Sequence, residues 1–195
     1  ASGINRGTSG NLSIRTDEGF LITPSGMDYE RLTPGDIVAM NPEGAWEGSS
    51  RPSSDWRVHL DVYRAREDAH AIVHAHPTFS TTLACLGRSI PAIHYMVAIA
   101  GGKDIRCASY ATFGTQALSD HAVAALEGRK ACLMAHHGLL CLERDLPRAL
   151  ALAVEVDGLA QIYYQCLLAG EPEVLDDAEM ERVLEKFKTY GSSLQ

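Results

Sequence analysis

The sequence predicts an α/β fold in which helices cover both faces of a mixed, mostly antiparallel sheet. Short apolar stretches of strand length alternate with longer stretches of helical periodicity, which favours a layered α/β domain. Several neighbouring strands are separated only by turn residues, and such connections favour hairpins over parallel crossovers. No GxGxxG pattern follows the first strand, which argues against a doubly wound dinucleotide-binding sheet.

The composition is that of an ordinary globular protein, with 46% hydrophobic and 22% charged residues. We expect residues 1–195 to form a single domain, because this length is enough for one hydrophobic core. The net charge of −8 argues against a nucleic-acid partner. No apolar run approaches the roughly 20 residues of a membrane helix. The five cysteines form no CxxC pair, and there is no signal peptide, so we expect reduced thiols in a cytoplasmic protein.

The first half of the chain alternates strand-like and turn-like stretches. Residues 11–23 predict a β-hairpin, and residues 36–40 predict a third strand. The stretch Pro52-Ser53-Ser54-Asp55 is typical of a helix start, because a hydroxyl can cap the first turn and an acid suits the helix dipole. Residues 71–76 then predict a buried strand.

The second half predicts more helix than strand. The expected elements are a helix over 79–86, a strand over 105–110, a helix over 116–126, a strand over 131–135, a long helix after Asp145 and a last helix over 177–188. In the long helix, the predicted apolar face consists of Leu146, Ala149, Leu150, Ala153, Leu159 and Tyr163.

Two histidines end the predicted strand over residues 71–76, in the stretch Val73-His74-Ala75-His76. Residues i and i+2 of a strand point to the same face, about 6.6 Å apart along the chain. His74 and His76 can therefore bind one metal ion together. The alternative is a pair of histidines that only pack in the core.

A third candidate ligand follows the predicted strand over 131–135, where His136 and His137 are adjacent. Only one of the two can easily face the metal, because neighbours on a strand point in opposite directions. Asp55 adds a carboxylate, unless it serves only as a helix cap. Such a ligand set suits Zn²⁺, with Mn²⁺, Co²⁺ or Fe²⁺ as alternatives. Four other histidines have no comparable partner, and surface or core roles are expected for them: His59, His70, His94 and His121.

Small residues near the predicted metal ligands suggest a second binding function. The glycine-rich stretch over 3–15, the turn Ser25-Gly26 and the pair Ser53-Ser54 offer backbone N–H and hydroxyl groups that can hold an anion. Ordinary tight turns are the alternative. A metal beside a phosphate pocket indicates a phosphorylated sugar, and aldol or epimerase chemistry rather than peptide hydrolysis.

Eight stretches, distributed in order over nearly the whole chain, closely resemble the class II aldolase family related to adducin, and within it the L-fuculose-1-phosphate aldolases. They are Asn5-Arg6-Gly7-Thr8-Ser9-Gly10-Asn11-Leu12-Ser13, Ile22-Thr23-Pro24-Ser25-Gly26, Pro52-Ser53-Ser54, Val73-His74-Ala75-His76, Ile90-Pro91-Ala92-Ile93-His94-Tyr95-Met96, Tyr110-Ala111-Thr112-Phe113-Gly114-Thr115, His136-His137-Gly138 and Glu185-Lys186-Phe187-Lys188-Thr189-Tyr190-Gly191. The resemblance implies a three-layer α/β/α fold and a four-fold symmetric homotetramer with active sites at subunit interfaces. It also implies a further helix before the glycine-rich loop, so we expect residues to precede Ala1.

The resemblance also implies a role for each matching residue. Zinc would be bound by three histidines: His74, His76 and His137. Phosphate would be bound by Asn11, Ser25, Gly26, Ser53 and Ser54. Tyr95 would be a catalytic tyrosine acting from a neighbouring subunit, and Phe113 and Tyr190 would line the aldehyde side. Asp55 stands where the family has a glutamate that coordinates the resting zinc and then acts as the base.

The implied activity is reversible cleavage of a ketose 1-phosphate to dihydroxyacetone phosphate and a short aldehyde. L-Fuculose 1-phosphate is the first expected substrate, and L-lactaldehyde the matching product. The alternatives are a 5-deoxyribulose or methylthioribulose 1-phosphate aldolase, a sugar-phosphate 4-epimerase, and a non-catalytic adducin-like interaction domain.

Overall fold

A seven-stranded sheet forms the centre of the fold, as seen in a computed structural model that describes residues 3–5 and 7–189. The strands are β1 (Asn11–Thr16), β2 (Gly19–Ile22), β3 (Val38–Met40), β4 (Ala71–Ala75), β5 (Arg106–Ala108), β6 (Ala131–Met134) and β7 (Gly138–Glu143). Their order in the sheet is β3-β2-β1-β4-β7-β6-β5. Every pair is antiparallel except β5 with β6. The predicted mixed, mostly antiparallel sheet is therefore confirmed.

In the described part of the chain five α-helices cover the sheet, and the predicted three-layer α/β/α architecture is confirmed. They are α1 (Trp56–Ala65), α2 (Thr78–Cys85), α3 (Gln116–Ala125), α4 (Leu146–Ala169) and α5 (Asp177–Phe187). Three short 3₁₀ helices, Tyr29–Arg31, Pro34–Asp36 and Tyr95–Ala100, lie in the connections. No helix of the described residues is both long enough and apolar enough to cross a bilayer.

Side-chain alternation along the central strands divides the core in two. In β4, Ile72 packs with α1 and α3, whereas Val73 packs with α2, α4 and α5 on the opposite face. All five residues of β4 are buried, as expected for a strand with helices on both sides. His74 shares its face with Ile72, because residues two apart in a strand point the same way, and this is the face that α1 covers.

Three element predictions need correction. Strand β7 was not predicted; its run of leucines lacks the polar alternation that identifies a half-exposed strand, because both of its faces are buried. The third strand begins at Val38 rather than at residue 36, since Asp36 ends a 3₁₀ turn and its carboxylate accepts a hydrogen bond from the N–H of Thr33, the residue before that turn. Leu150 is 39% exposed, and so lies outside the buried face of α4.

Candidate active site

Three histidines converge at one end of the central strands. The side-chain nitrogens of His74, His76 and His137 that could bind a metal all lie within 4.8 Å of one another. The Nε2 atoms of His74 and His76 are 2.9 Å apart. The ring centroid of His137 is 4.7 Å from that of His74 and 5.1 Å from that of His76. The spacing predicted from the sequence therefore brings these imidazoles together as expected.

The sheet fixes which nitrogen of His74 faces the site. Its Nδ1 lies 2.9 Å from the carbonyl oxygen of Leu139 in β7, the strand that pairs with β4. A carbonyl only accepts, so Nδ1 carries the proton and Nε2 presents its lone pair to the other histidines. Metal-binding histidines in proteins are commonly oriented by such a hydrogen bond on the second ring nitrogen.

A tight turn between β6 and β7 carries the adjacent histidines. His136 has a positive φ of 54°, and the backbone N–H of His137 donates to Met134 O at 3.0 Å. The reversal turns His137 towards His74 and His76, while the ring of His136 stands on edge to Tyr110. The expectation that only one of the pair joins the cluster is therefore correct, with a turn rather than strand alternation as the cause.

Asp55 precedes α1 and directs its carboxylate at the histidines. Its side chain makes no capping hydrogen bond, although the residue occupies the N-cap position. Its Oδ2 lies 3.9 Å from His74 Nε2 and 3.8 Å from His137 Nε2. The residue is only 7% exposed, and its Oδ1 has no hydrogen-bond partner among the described residues. A buried carboxylate without a partner is costly, so this position suits a bound cation.

The protonation of the histidines also fits a metal. Burial lowers the pKa of His74 well below its ordinary value, and charge on His137 and His76 would lower it further. Burial likewise lowers the pKa of His76 and of His137, and the Asp55 carboxylate opposes this shift in both. Neutral imidazoles with free Nε2 lone pairs are the form that binds metal. The residues present therefore fit a divalent ion with three nitrogen ligands and one oxygen ligand.

A cavity of about 320 Å³ opens over this cluster. His76, His137 and Asp55 line it. The same cavity is also lined by every residue that the sequence suggested for phosphate binding: Asn11, Ser25, Gly26, Ser53 and Ser54. Thr8, Ser9 and Gly10 are further small residues of the lining. None of the described residues that line the cavity is a lysine or an arginine.

Backbone contacts hold the two serine-bearing loops side by side. The N–H of Ser53 donates to Thr23 O at 3.1 Å, and the N–H of Ser25 donates to Arg51 O at 3.0 Å. Gly10 has a φ of +79°, and a Cβ on it would lie 2.6 Å from His74 O. Only glycine lets the loop before β1 lie this close to β4, so Gly10 places the loop beside the strand that carries His74.

The remaining predicted site residues lie apart from the cluster or outside the described residues. Phe113 is 65% exposed at the rim of the cavity. Tyr95 is 50% exposed and does not line this cavity; it borders a separate depression against α5. Tyr190 lies outside the described residues, and nothing follows for its predicted role.

Sequence reasoning missed two features of the site. Tyr110 lines the cavity, although no role was proposed for it, and so does His136, which was considered only as an alternative metal ligand to His137. His59, for which a surface or core role was expected, is fully buried, but its contacts with Asn11 and Ser13 were not anticipated. A signal for this contact exists in the sequence: Asn11 and Ser13 are two residues apart on the predicted first strand, so their polar side chains share one face and need a polar partner there.

Comparisons with known proteins agree with this geometry. A family model described as "Class II Aldolase and Adducin N-terminal domain" matches residues 1–164. A 5-methylthioribulose-1-phosphate/5-deoxyribulose-1-phosphate aldolase of Rhodospirillum rubrum is 60% identical over 99% of this chain and 87% of its own length. An L-fuculose phosphate aldolase of Escherichia coli is 52% identical over 99% of this chain and 90% of its own length. A solved L-fuculose 1-phosphate aldolase superposes with a TM-score of 0.92 at 47% identity, over 95% of this chain and 88% of that one.

The fold, the histidine cluster and these matches define a class II aldolase, an enzyme of the carbon–carbon lyase type. The chain belongs to the class II aldolase and adducin family. That family is metal-dependent, and the three histidines provide a candidate metal site in this chain.

Proposed function

We propose that the protein is a zinc-dependent aldolase that reversibly cleaves a ketose 1-phosphate to dihydroxyacetone phosphate and a short aldehyde. The observation that carries this proposal is the shared cavity. Two of the three clustered histidines, His76 and His137, and the buried Asp55 carboxylate line the same cavity as small residues that offer hydroxyl, amide and backbone donors. A cation site beside a neutral anion site suits a substrate whose carbonyl and phosphate are close together.

In this proposal His74, His76, His137 and Asp55 hold the ion, which when bound would polarise the substrate carbonyl as a Lewis acid. Asp55 is also the general base, and its Oδ1 moves the proton at the reacting carbon. This oxygen is buried and without a hydrogen-bond partner among the described residues, so it is free to accept that proton. Zn²⁺ suits the nitrogen-rich ligand set, and Mn²⁺, Co²⁺ and Fe²⁺ are the alternatives to be measured.

The phosphate is proposed to bind through Asn11, Ser25, Gly26, Ser53 and Ser54. Ser54 lies just before α1, a ten-residue helix whose first N–H groups and dipole favour an anion. The absence of lysine and arginine among the described lining residues supports recognition by hydrogen bonds rather than by opposite charge.

Two substrate assignments are possible, and they differ in the part of the sugar phosphate that is released as the aldehyde. L-Fuculose 1-phosphate was expected from the sequence, and the relative from Escherichia coli carries that name at 52% identity. The relative from Rhodospirillum rubrum, at 60% identity, is named for the methylthioribulose and deoxyribulose phosphates. We therefore favour a 5-substituted ribulose 1-phosphate, with L-fuculose 1-phosphate as the second candidate.

A substrate panel tests this assignment. Dihydroxyacetone phosphate release would be followed in a coupled assay with 5-methylthioribulose, 5-deoxyribulose and L-fuculose 1-phosphates. The highest kcat/KM is expected for one of the two ribulose derivatives. Ribulose 5-phosphate would be included, because its epimerisation without release would instead identify a sugar-phosphate 4-epimerase. A metal-loaded protein without turnover on any of them would identify a non-catalytic interaction domain.

Removing the Ser53 hydroxyl is expected to weaken substrate binding. This hydroxyl is buried at the cavity wall, and Asn11 Nδ2 donates to it at 2.7 Å. Ser53→Ala should raise KM for the phosphorylated ketose about ten-fold, since one hydrogen bond to a charged group is lost. Metal content should not change. Ser49→Ala, in the exposed part of the preceding loop, is the matched control. An unchanged preference for phosphorylated over unphosphorylated sugar would remove Ser53 from the site.

The active site is further proposed to be shared between subunits of a homotetramer, with Tyr95 acting on the aldehyde oxygen of a neighbouring site. Three large aromatic side chains that are at least half exposed support the presence of subunit interfaces: Tyr95, Tyr110 and Phe113.

Mixing inactive subunits tests the shared site. Tyr95→Phe and Asp55→Asn variants should each be poorly active, since each lacks one proton-transfer group. Mixed tetramers should regain activity, because some interfaces combine an intact Tyr95 with an intact Asp55. Native mass spectrometry, with the subunits of one variant labelled with ¹⁵N, would verify the mixing. If verified mixed tetramers are no more active than either parent, Tyr95 does not act across the interface.

A further inference from the structure

A chain of buried hydrogen bonds leads from the core to the cavity wall. Tyr63 OH lies 2.8 Å from Ser13 Oγ, and Ser13 Oγ lies 2.6 Å from His59 Nδ1. His59 Nε2 lies 2.5 Å from Asn11 Oδ1, and Asn11 Nδ2 lies 2.7 Å from Ser53 Oγ. The chain joins α1 to β1 and ends at two residues that line the cavity.

Each link has one consistent direction. Burial lowers the pKa of His59 to about 3, so its ring is neutral and has one N–H and one acceptor nitrogen. Asn11 Oδ1 can only accept, so the proton is on Nε2 of His59. Nδ1 is then the acceptor and takes the hydroxyl proton of Ser13. Burial raises the pKa of Tyr63, which keeps its hydroxyl protonated as the first donor of the chain.

The orientation of the Asn11 amide determines what Ser53 can offer to a ligand. With Oδ1 held by His59, the amide nitrogen donates to Ser53 Oγ. The N–H of Asp55 approaches the same oxygen at 3.4 Å. Ser53 Oγ accepts on its inner side, and its own O–H is left to point into the cavity. If the amide were reversed, Ser53 would donate to Asn11 and would turn its lone pairs towards the ligand.

We propose that His59 is a positioning residue for the phosphate site: its Nε2–H fixes the Asn11 amide so that Asn11 and Ser53 present only donors to the anion. The inference rests on the proposed phosphate site and extends it to a residue that contacts no ligand. A phosphate dianion has acceptors but few protons, so a wall that presents only donors favours it over a neutral hydroxyl group.

The cost of burying these groups supports this role. Histidine, serine and tyrosine side chains in a core are stabilising only while every partner remains, and apolar residues of similar shape would be as stable. His59 has 0% exposure, and all of its polar contacts lead along this one chain among the described residues. The chain of buried polar groups is therefore explained by its effect at the cavity, where it orients the Asn11 amide and the Ser53 hydroxyl.

Two substitutions at His59 distinguish its hydrogen bond to Asn11 from its packing in the core. His59→Phe keeps an aromatic ring and removes the N–H, whereas His59→Gln keeps an N–H donor near the Nε2 position. Tyr63→Phe is the matched control, because it removes a buried polar group from the chain and leaves the Ser13 hydroxyl free to donate to His59. All three would be compared with the wild-type zinc-loaded enzyme.

Inorganic phosphate is the probe, with binding measured by titration calorimetry. We expect His59→Phe to weaken phosphate binding about ten-fold or more, and His59→Gln to restore it to within about three-fold of wild type. Tyr63→Phe should change it less than about two-fold. Zinc content should be the same in all four proteins. In turnover assays the loss should be in KM, with kcat changed far less, because His59 does not touch the reacting atoms.

Two binding results would overturn the inference: phosphate binding in His59→Phe equal to wild type, or no phosphate binding by the wild type. Neither needs turnover, so failure of the proposed reaction would be seen separately, as absence of cleavage across the substrate panel. The tautomer gives an independent measurement that does not depend on the variants folding. A long-range ¹H–¹⁵N spectrum of the wild type should show His59 protonated on Nε2, and a proton on Nδ1 would also overturn the inference.

Discussion

A double variant, His74→Ala with His76→Ala, is expected to contain no stoichiometric zinc and to have no measurable cleavage activity. Two of the three clustered nitrogens would be lost, and the remaining His137 and Asp55 are too few to hold a structural or catalytic ion. Even loss of an outer hydrogen-bond partner of a metal ligand costs roughly 10–100-fold in affinity or activity, so loss of two ligands should cost far more. Elemental analysis and the dihydroxyacetone phosphate assay measure the two effects.

His70→Ala is the matched control for this variant. His70 is exposed and lies just before β4, four residues from His74, so it shares the strand environment without facing the cluster. It should retain about one ion per subunit, the number that a single three-histidine site binds. Full zinc occupancy in the double variant would falsify the assignment of His74 and His76 as ligands.

Asp55→Asn should lower turnover about 100-fold or more, because a carboxamide cannot accept the proton that the reaction moves. The change keeps the size of the side chain, so metal content and the unfolding transition should change much less than kcat. Asp17→Asn, in the exposed turn between β1 and β2, is the control for loss of one negative charge. A variant with near wild-type kcat would show that another group is the base.

Asp55→Glu should raise turnover, in the opposite direction from Asp55→Asn. Two ligands of one tetrahedral zinc ion lie about 3.3 Å apart, given bonds of about 2.0–2.1 Å. Asp55 Oδ2 lies 3.8 Å from His137 Nε2 and 3.9 Å from His74 Nε2. Both distances are longer than that spacing, so the aspartate carboxylate is too far from the histidines for an ideal ligand. Glutamate is longer by about 1.5 Å, one C–C bond, and a misplacement of about 1 Å can cost about 100-fold in rate.

The reverse result for Asp55→Glu would be equally informative. A ten-fold loss would mean that the site is built around the shorter side chain and that a different substrate or reaction should be sought. The flanking residues Ser54 and Trp56 should be left unchanged in these variants, because they begin α1 and set the direction of residue 55.

Local sequence patterns predicted most of the fold. The hairpin of β1 and β2, the long helix capped by Asp145 and the last helix each have strong local signals, namely alternation or a side chain that caps the first turn. Strand β7 lacked such a signal, although it is central and pairs with both β4 and β6. A strand buried on both faces has no polar period, and pairing between distant strands leaves no mark in either stretch alone.

The site was predictable to the extent that its residues are neighbours in sequence. His74 and His76 share a face of one strand, so their proximity follows from strand geometry. The His136/His137 pair and Asp55 were candidates because they lie at the ends of predicted elements, and the resemblance to a known family selected His137 from the pair. The His59 chain was missed because each of its hydrogen bonds joins β1 to α1 or to the loop before it, and the partners are more than 40 positions apart.

The antiparallel pairing of β4 with β7 makes metal affinity a part of folding stability. His74 and His76 lie in and directly after β4, and His137 lies in the turn directly before β7. The cluster therefore exists only while β4 and β7 are paired. An ion that binds the folded chain and not the unfolded chain stabilises it by linkage. At a free concentration 100 times its dissociation constant, this stabilisation is about 2.7 kcal/mol. A chelator should therefore act as a mild denaturant of the middle of the sheet, and hydrogen exchange of the β4 and β7 amides should report the occupancy of the metal site.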